Sequence, residues 1–327
     1  MEFGALLLVP EDSVLQGNED HATRAAQAVP LWPVVGKHLS QDWFQKVRRI
    51  GVEAFSVVRG GNADSEFEAS SSLIKQGIEQ LLLIRLGAYA ELDLLDILQF
   101  HRQSHNLTTE VFDQRGPLGV EIVHRASVTR DYVERRQMRN KLDGSRYRFH
   151  GYANRLCSAQ MYRDLVCDAL RRKCALRPRG TQLGEGVWVG EQTRIGDSVR
   201  LVGPCFVGDG TVLEEGVTVG PFASIENDSI IDCGTTIEGA SILPQTFLAA
   251  GLKVRHSIID GAHLEHLETG TTVDLTTAGL GRRISPGARA GHSQNRGSKS
   301  RFWSESARWF HTQPSPSAAA MIAACPL

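Results

Sequence analysis

The most constraining feature of this sequence is a period of six residues between positions 183 and 243. Eleven consecutive hexapeptides open with an aliphatic residue, and none is out of step: Leu183, Val189, Ile195, Leu201, Val207, Leu213, Val219, Ile225, Ile231, Ile237 and Leu243. Such a period cannot follow one face of a helix and is too regular for a sandwich strand. It is typical of a parallel β-helix, whose triangular coil takes three hexapeptides. We expect residues 183–275 to form roughly four coils with every opener buried.

Glycines occupy places at which such a coil needs a tight turn. They follow the opener at Gly184, Gly190, Gly196, Gly208 and Gly220. With this pattern the repeat resembles the left-handed hexapeptide β-helices. The resemblance implies a left-handed coil, which is an exception to the usual right-handed crossover.

The region before the repeat has a different pattern, in which apolar runs that predict buried strands alternate with helical segments. The runs are Ala5–Val9, Ala54–Val58 and Leu81–Leu86, and the helical segments are Trp43–Ile50, Ile74–Gln80, Leu92–His105 and Met161–Cys174. This alternation predicts a mixed, mostly parallel sheet with helices on both faces. Because Pro178 disfavours helix before it, we predict an α/β domain over residues 1–176. The β-helix would then cover 177–280, and a tail would cover 281–327.

Four stretches of the α/β region carry a family resemblance. They are Pro30–Lys37 (PLWPVVGK), Arg48–Val52 (RRIGV), Leu83–Arg102 and Gly151–Leu156 (GYANRL). Together with the repeat, they resemble the sugar-nucleotidyltransferases, that is, nucleotide-sugar pyrophosphorylases similar to mannose-1-phosphate guanylyltransferase. The resemblance implies a Rossmann-like nucleotidyltransferase domain followed by a left-handed β-helix. It also implies attack of a sugar-1-phosphate on an NTP with release of pyrophosphate.

The catalytic positions of that family carry other residues in this chain. The chemistry needs amides and cations around the phosphates and a carboxylate-bound Mg²⁺. The glycine-rich loop after the first strand is replaced by residues 10–20, with four carboxylates, one glycine and no basic residue. Val29 stands where the family has a lysine, and Ala88 and Arg155 stand where it has two metal-binding aspartates. We therefore predict no catalytic residue, no metal ligand and no cofactor, with Mg²⁺ only if some nucleotidyl transfer remains.

We interpret the chain as a degenerate pyrophosphorylase-like protein with a binding, scaffolding or regulatory role in nucleotide-sugar or exopolysaccharide metabolism. Two alternatives stay open. One is an active sugar-1-phosphate nucleotidyltransferase with a non-standard site. The other is a hexapeptide-repeat acyltransferase, which would need a histidine as general base. Residues 183–243 contain no histidine, and His256, His263 and His266 lie beyond them.

A ligand site is expected in the crevice at the carboxyl ends of the parallel strands. The candidate ligand-binding residues there are Arg59, Gly87, Tyr89, Tyr152 and Arg155. An arginine binds phosphate with a planar fork of donors, and a tyrosine ring stacks on a base or a sugar. Such a site would take a sugar phosphate or a nucleotide-sugar without Mg²⁺.

Charge and composition narrow the range of partners. A formal net charge of -1 does not favour nucleic acid. No segment is long enough for a signal peptide or a membrane span, so we predict a cytoplasmic protein. The open edges of a coil favour a homo-oligomer or a protein partner on the β-helix. Seven basic residues from Arg282 to Arg308, against Glu305 alone, predict a disordered tail that contacts a membrane surface weakly.

Overall fold

The computed structural model describes residues 3–10, 29–52, 54–60, 62–137 and 144–284 of the chain. The chain divides into two compact units. The α/β unit comprises Met1–Trp32 and His38–Tyr162, and the coil unit comprises Pro33–Lys37 and Arg163–Leu327. The boundary between the two units lies between Tyr162 and Arg163, within one helix, whereas the sequence pattern places it near residue 176.

The α/β unit alternates strands and helices over its first half. Its elements are, in chain order, β1 (Phe3–Val9), α1 (Leu39–Arg49), β2 (Ala54–Arg59), α2 (Ala63–Lys75), β3 (Gln80–Arg85), β4 (Ala88–Ala90), α3 (Leu94–Ser104), β5 (Thr108–Asp113), β6 (Gly116–His124), α4 (Arg130–Gln137), β7 (Ser145–Arg148), β8 (Ala153–Arg155) and the start of α5 (Ala159–Leu170). The three predicted strands and the predicted helices at Trp43–Ile50, Leu92–His105 and Met161–Cys174 are confirmed within a few residues at each end. The predicted helix at Ile74–Gln80 is wrong, because α2 ends at Lys75 and β3 begins at Gln80. The sequence pattern did not indicate α4 or the β5–β6 hairpin.

A six-stranded sheet of order β2-β1-β3-β6-β5-β7 lies at the centre of this unit. β1 pairs in parallel with β2 and β3, whereas β6 runs antiparallel to both β3 and β5. Ala5 and Leu7 pack with α1 and α3 on one face, and Leu6 and Leu8 pack with α2 and α4 on the other. Because helices cover both faces of the sheet, the sequence of β1 is a continuous apolar run. The sheet is thus mixed and rich in parallel pairs, with helices on both faces.

The coil unit consists mainly of very short strands. They are, in chain order, β9 (Thr181–Gly184), β10 (Val187–Val189), β11 (Arg194–Ile195), β12 (Arg200–Leu201), β13 (Cys205–Val207), β14 (Val212–Leu213), β15 (Thr218–Val219), β16 (Ala223–Ile225), β17 (Ile230–Ile231), β18 (Thr236–Glu238), β19 (Ser241–Ile242), β20 (Thr246–Leu248), β21 (Lys253–Arg255), β22 (Ser257–Asp260), β23 (His263–His266), β24 (Thr271–Asp274) and β25 (Gly281–Arg283).

Three stacks of strands form the coil, and we call them its first, second and third faces. The first face contains β10, β13, β16, β19 and β22, the second contains β11, β14, β17 and β20, and the third contains β12, β15, β18 and β21. Within each face these strands pair in parallel. Antiparallel strands close the stacks: β9 before the first face, β23 and β24 after it, and β25 after the second face. The stacked parallel strands are those of a β-helix-like coil, as the period of six predicts.

The openers up to Ile237, followed by aliphatic residues such as Leu248 that stack in register on them, form the interior column of the coil. On the second face, Leu213, Ile231 and Leu248 stack in register, and their side chains are almost completely buried. The other two faces repeat this arrangement, so one continuous apolar cluster fills the coil. The period of six therefore arises mainly because each level of the coil needs an aliphatic side chain in its interior.

The prediction that all openers are buried is wrong at the first coil. Leu183 is 62% exposed and Ile195 is 39% exposed, and Leu201 is half-buried. These residues lie at the end of the stack, where no earlier coil covers them. The other openers are buried.

The period also changes once, after Ile237. Three hexapeptides separate Val207 from Ile225, but Ile225 stacks on Ile242, one residue before the predicted opener Leu243. The hexapeptide that contains Gly239 is thus one residue short. Leu243 is buried as well, but it lies outside the interior cluster.

The short segment Pro33–Lys37 packs on the first face of the coil. Val35 and Gly36 form a tight turn with φ values of 46° and 82°. The Gly36 amide donates to Glu226 Oε2 at 2.8 Å. A Cβ on Gly36 would lie only 2.9 Å from the Phe206 ring, so the turn requires glycine for both its φ and its fit.

The coil extends further along the chain than predicted, because β25 pairs with β20 beyond residue 280. Residues 285–327, for which the sequence predicts disorder and membrane contact, lie outside the described residues. In the described ranges, no helix combines the length and apolar character needed to cross a membrane.

Candidate functional site

Four of the five predicted ligand-binding residues lie on or beside a two-stranded ribbon formed by β4 and β8. The strands run antiparallel, with Ala88 opposite Arg155 and Tyr89 opposite Asn154. β4 follows almost directly after β3. The ribbon therefore stands at the carboxyl end of the parallel strands, where ligand sites of α/β sheets form.

Backbone hydrogen bonds hold both ends of this ribbon. The Gly87 carbonyl accepts from the Leu156 amide at 3.0 Å, and the Tyr152 carbonyl accepts from the Glu91 amide at 3.1 Å. The space beside Gly87 is open, since a Cβ built there would meet no atom within 4 Å. A ligand group can therefore approach the backbone closely at Gly87.

Two tyrosines and a lysine form the aromatic and cationic part of the site. Tyr89 is 5% exposed, and its ring meets the half-buried Tyr152 ring edge to face, with centroids 6.0 Å apart. Lys46 Nζ lies 5.8 Å from the Tyr89 ring centroid, where the ring attracts a cation. The same ammonium donates to the Ala90 carbonyl at 3.1 Å and contacts the Asp42 carboxylate at 2.9 Å. These contacts use two of its three donors.

Arg155 is engaged by a carboxylate. Its Nη1 and Nη2 donate to the two Asp113 oxygens at 2.8 and 2.6 Å, and Nη2 also donates to the Gly116 carbonyl at 2.7 Å. The hydrogen bonds from Arg155 are the largest cause that lowers the pKa of Asp113 below its ordinary value. A phosphate at this place would have to share the guanidinium with Asp113.

Asn154 contributes a buried acceptor that has no partner in the described part of the chain. Its Nδ2 donates to the Met161 carbonyl at 3.0 Å, whereas its Oδ1 makes no hydrogen bond there. Leaving a buried acceptor unpaired costs about 1–3 kcal/mol, so such atoms usually bind water or a ligand. Because Asn154 lies opposite Tyr89, this acceptor belongs to the same part of the ribbon as the tyrosine pair.

Arg59 does not lie on the ribbon. It ends β2 opposite Val9, and its side chain is exposed. β1 separates β2 from β3, and neighbouring strands lie about 4.8 Å apart, so about 10 Å separates the backbone of Arg59 from the end of β3. The structure thus brings Gly87, Tyr89, Tyr152 and Arg155 together and leaves Arg59 at the rim.

The residues on the ribbon do not fit the Mg²⁺ that the family resemblance implies. Ala88 and Arg155, the positions of the family's two metal-binding aspartates, are direct cross-strand partners. Side chains of such partners have Cβ atoms about 5 Å apart, so two aspartates here could share one cation. A methyl group and a guanidinium cannot. Across the described ranges, no three His, Cys, Asp or Glu side chains are grouped to hold a metal ion.

The histidines beyond the repeat do not converge on one site. His263 and His266 are three residues apart on β23, and a strand directs residues at odd offsets to opposite faces. His256 Nδ1 lies 3.7 Å from Glu268 in an exposed pair. The described coil therefore shows no histidine arrangement that favours the acyltransferase alternative.

Comparison with known proteins leaves the family open: no family model matches the chain, and no curated protein matches it. The nucleotidyltransferase resemblance therefore depends on the motifs of this chain and on the place of their residues in the fold.

Sequence reasoning missed Lys46 and Asp113. A sequence signal for Lys46 was present. The buried residues of α1 form one stripe along the helix, and Lys46 comes directly before Val47 of that stripe, so its side chain is expected at the edge of the core. Asp113 ends β5, a strand without a continuous apolar run, so no local pattern marked it. Its role depends on pairing with Arg155, which is distant in the sequence.

Proposed function

We propose that this chain is a nucleotidyltransferase-like binding protein. It binds a sugar phosphate or a nucleotide-sugar on the β4–β8 ribbon without Mg²⁺, and it does not catalyse the pyrophosphorylase reaction. In this proposal the α/β unit is a Rossmann-like nucleotidyltransferase domain and the coil is left-handed, as the resemblance implies. Its role is that of a binding, scaffolding or regulatory partner in nucleotide-sugar metabolism.

One observation carries this proposal, namely the pairing of Ala88 with Arg155. The two positions are neighbours, as a shared metal site would require, but their side chains cannot hold a cation. The backbone thus supports the family alignment while the residues argue against metal-dependent chemistry. The Arg155 guanidinium, which a phosphate would share with Asp113, offers hydrogen-bond donors to a phosphate without a metal.

The other residues of the ribbon suggest how the ligand would lie. The half-buried Tyr152 ring offers a surface for a base or a sugar ring. The open space at Gly87 admits a phosphate close to the backbone, and Lys46 lies beside Tyr89 as a second cation.

The direct test is calorimetric titration of the full chain with NTPs, sugar-1-phosphates and nucleotide-sugars, in Mg²⁺ and in EDTA. We expect at least one sugar phosphate or nucleotide-sugar to bind equally in both buffers. We also expect no pyrophosphate release from any NTP and sugar-1-phosphate pair. Turnover with a kcat of about 1 s⁻¹ or more would instead support the active-enzyme alternative, and consumption of acetyl-CoA would support acyl transfer.

A pair of variants locates the site. Tyr152→Ala should weaken binding by about 5- to 150-fold, since stacking on a base is worth about 1–3 kcal/mol. Tyr147→Ala is the matched control, because Tyr147 packs on Phe100 at 5.4 Å and bonds Asp96, away from the ribbon. Equal losses in the two variants would show that the ligand does not bind on the ribbon.

A further inference from the structure

The outward side chains of the second face form an apolar ladder. Val212, Ile230 and Phe247 stack in register on β14, β17 and β20. The residue after each of them points into the coil, as the fully buried Ile231 does, so the ladder itself points outward. Each ladder residue is only half-buried. Adjacent strands lie about 4.8 Å apart, so this second-face ladder is a stripe about 10 Å long.

The other faces of the coil do not offer such a stripe. On the third face, the corresponding outward residues are Thr218, Thr236 and Lys253. On the first face, Phe206 is almost completely buried beneath the Pro33–Lys37 turn. In the described part of the coil, the second-face ladder is therefore the apolar stripe that remains partly exposed.

Carboxylates border this ladder. Glu214 and Asp232 each follow the buried residue of β14 or β17, and Glu215 continues the exposed edge. Burial raises the pKa of the Cys233 thiol, and the charges of Asp232 and Glu214 raise it further. These carboxylates lie along one side of the ladder, whereas Arg194 and Arg282 lie at its two ends, opposite Val212 and Phe247. The carboxylate side of the ladder therefore favours a basic partner.

The described chain ends beside the same ladder. β25 pairs with β20, and the Arg282 guanidinium carbon lies 4.8 Å from the Phe247 ring centroid. The Ile284 amide then donates to the Gln245 carbonyl at 2.6 Å. Residues 285–327 thus start at the Phe247 end of the stripe.

The segment 289–310 has the composition that an acid-edged apolar stripe would bind. Its basic residues, against Glu305 alone, are Arg289, Arg296, Lys299, Arg301 and Arg308. Its aromatic residues are Phe302, Trp303, Trp309 and Phe310. A flexible chain from Ile284 to Phe302 would span about 20–25 Å on average, which exceeds the length of the ladder.

We propose that the second-face ladder binds the basic, aromatic segment 289–310 of the same chain. The aromatic side chains lie on Val212, Ile230 and Phe247 and continue the contact that Arg282 makes with Phe247. The basic side chains face Glu214 and Asp232. Apolar burial supplies most of the attraction, and the charges select the position of the segment. Attachment to the coil gives an effective concentration of about millimolar, so weak contacts suffice.

Photo-cross-linking of the full chain tests this proposal. A benzoylphenylalanine at Ile230, in an equal mixture of isotopically light and heavy protein, should cross-link to a peptide from 289–310 within single molecules. The same group at Thr218 on the third face is the matched control and should give little of this product. A benzoylphenylalanine at Val212 repeats the test if the Ile230 variant does not fold.

Charge reversal gives a second readout. Glu214→Lys should reduce the yield of the Ile230 cross-link by about two- to five-fold, as expected for partly exposed ion pairs. Glu185→Lys, which changes an exposed glutamate before the first face, should leave the yield unchanged. Equal yields from positions 218 and 230 would overturn the proposal. A yield in which about half of the cross-links join a light with a heavy molecule would also overturn it, because this is the random mixing expected when a second copy binds on this face.

Discussion

The coil and the β4–β8 ribbon differ in what their sequences must specify. In the coil, each interior position needs an aliphatic side chain of suitable volume, and the same need recurs at every level. In the ribbon, the pairing of Ala88 with Arg155 is made by backbone groups, and it does not require particular side chains at these two positions. The fold and the chemistry of the ribbon therefore depend on different features of the sequence.

Aspartate substitutions in the interior column of the coil should lower the stability most. Ile231→Asp places a carboxylate in a fully buried apolar site, and we expect the coil unit to unfold, because burying an unpaired charge costs many kcal/mol. Ile195→Asp should be tolerated far better, since Ile195 is 39% exposed in the first coil. Denaturant unfolding followed by circular dichroism compares the two. Similar losses would contradict the distinction between the interior and the end of the coil.

Glu226 should make the stability of the coil unit depend on pH. Burial raises its pKa to about 8, although the Gly36 amide and the Ser224 hydroxyl donate to its carboxyl group. The folded chain therefore retains a proton that the unfolded chain releases at a lower pH. Stability from this group is fully present below the ordinary pKa of 4.5 and is lost as the pH rises towards about 8.

Glu226→Gln removes this titration and keeps an acceptor for Gly36. We expect the variant to be more stable than the wild type at pH 9, by a few kcal/mol, and to differ little at pH 4. Urea unfolding at several pH values provides the measurement. A wild-type profile that rises through this window would show that Glu226 is ionised in the folded chain.

Arg155→Met should lower the stability by a smaller amount, and only that of the α/β unit. The variant loses the bidentate hydrogen bond to Asp113, which we expect to cost about 1–3 kcal/mol at neutral pH. Because the pKa of Asp113 is lowered, the stabilisation is present above its ordinary pKa of 3.8 and is lost as the pH falls through the folded value. The difference between variant and wild type should therefore shrink in acid.

Arg146→Met is the control for this variant, since Arg146 lies on the surface, 4.0 Å from Glu110 and 5.8 Å from the centroid of the Phe112 ring. It should change the free energy of unfolding by less than about 0.5 kcal/mol. Thermal unfolding of both variants at pH 7 and pH 3 separates the two cases. Equal effects at pH 7 would mean that the Arg155–Asp113 pair is not a stabilising part of the ribbon.

Local sequence patterns were sufficient where one residue type repeats on one structural element. The buried openers from Val207 to Ile237 were predictable because each needs only an aliphatic side chain every sixth position. β1 was predictable because a strand covered on both faces reads as a continuous apolar run. The same logic failed at Leu183 and Ile195, since a periodic pattern does not tell which coil lies at the end of the stack.

Within the candidate site, sequence reasoning found the residues that directly follow or form the strand ends. Gly87, Tyr89, Tyr152 and Arg155 come together as the expected crevice requires, because β4 and β8 pair. The neighbours that modify them could not be found in this way. Lys46 arrives from α1 and Asp113 from β5, and both contacts depend on pairings between distant segments.

The sequence by itself determined the repeated coil and the parallel-rich sheet, because apolar periodicity acts locally and is specified again at every turn or strand. Only the tertiary structure decided the charge and the accessibility of the candidate site. It gave Arg155 a carboxylate partner, left the Asn154 oxygen without a described partner and placed Arg59 at the rim. It also brought the Gly36 amide into hydrogen-bond contact with the Glu226 carboxyl group. These outcomes depend on which residues, distant in the sequence, come into contact in the low-dielectric interior. A local sequence pattern does not predict such contacts.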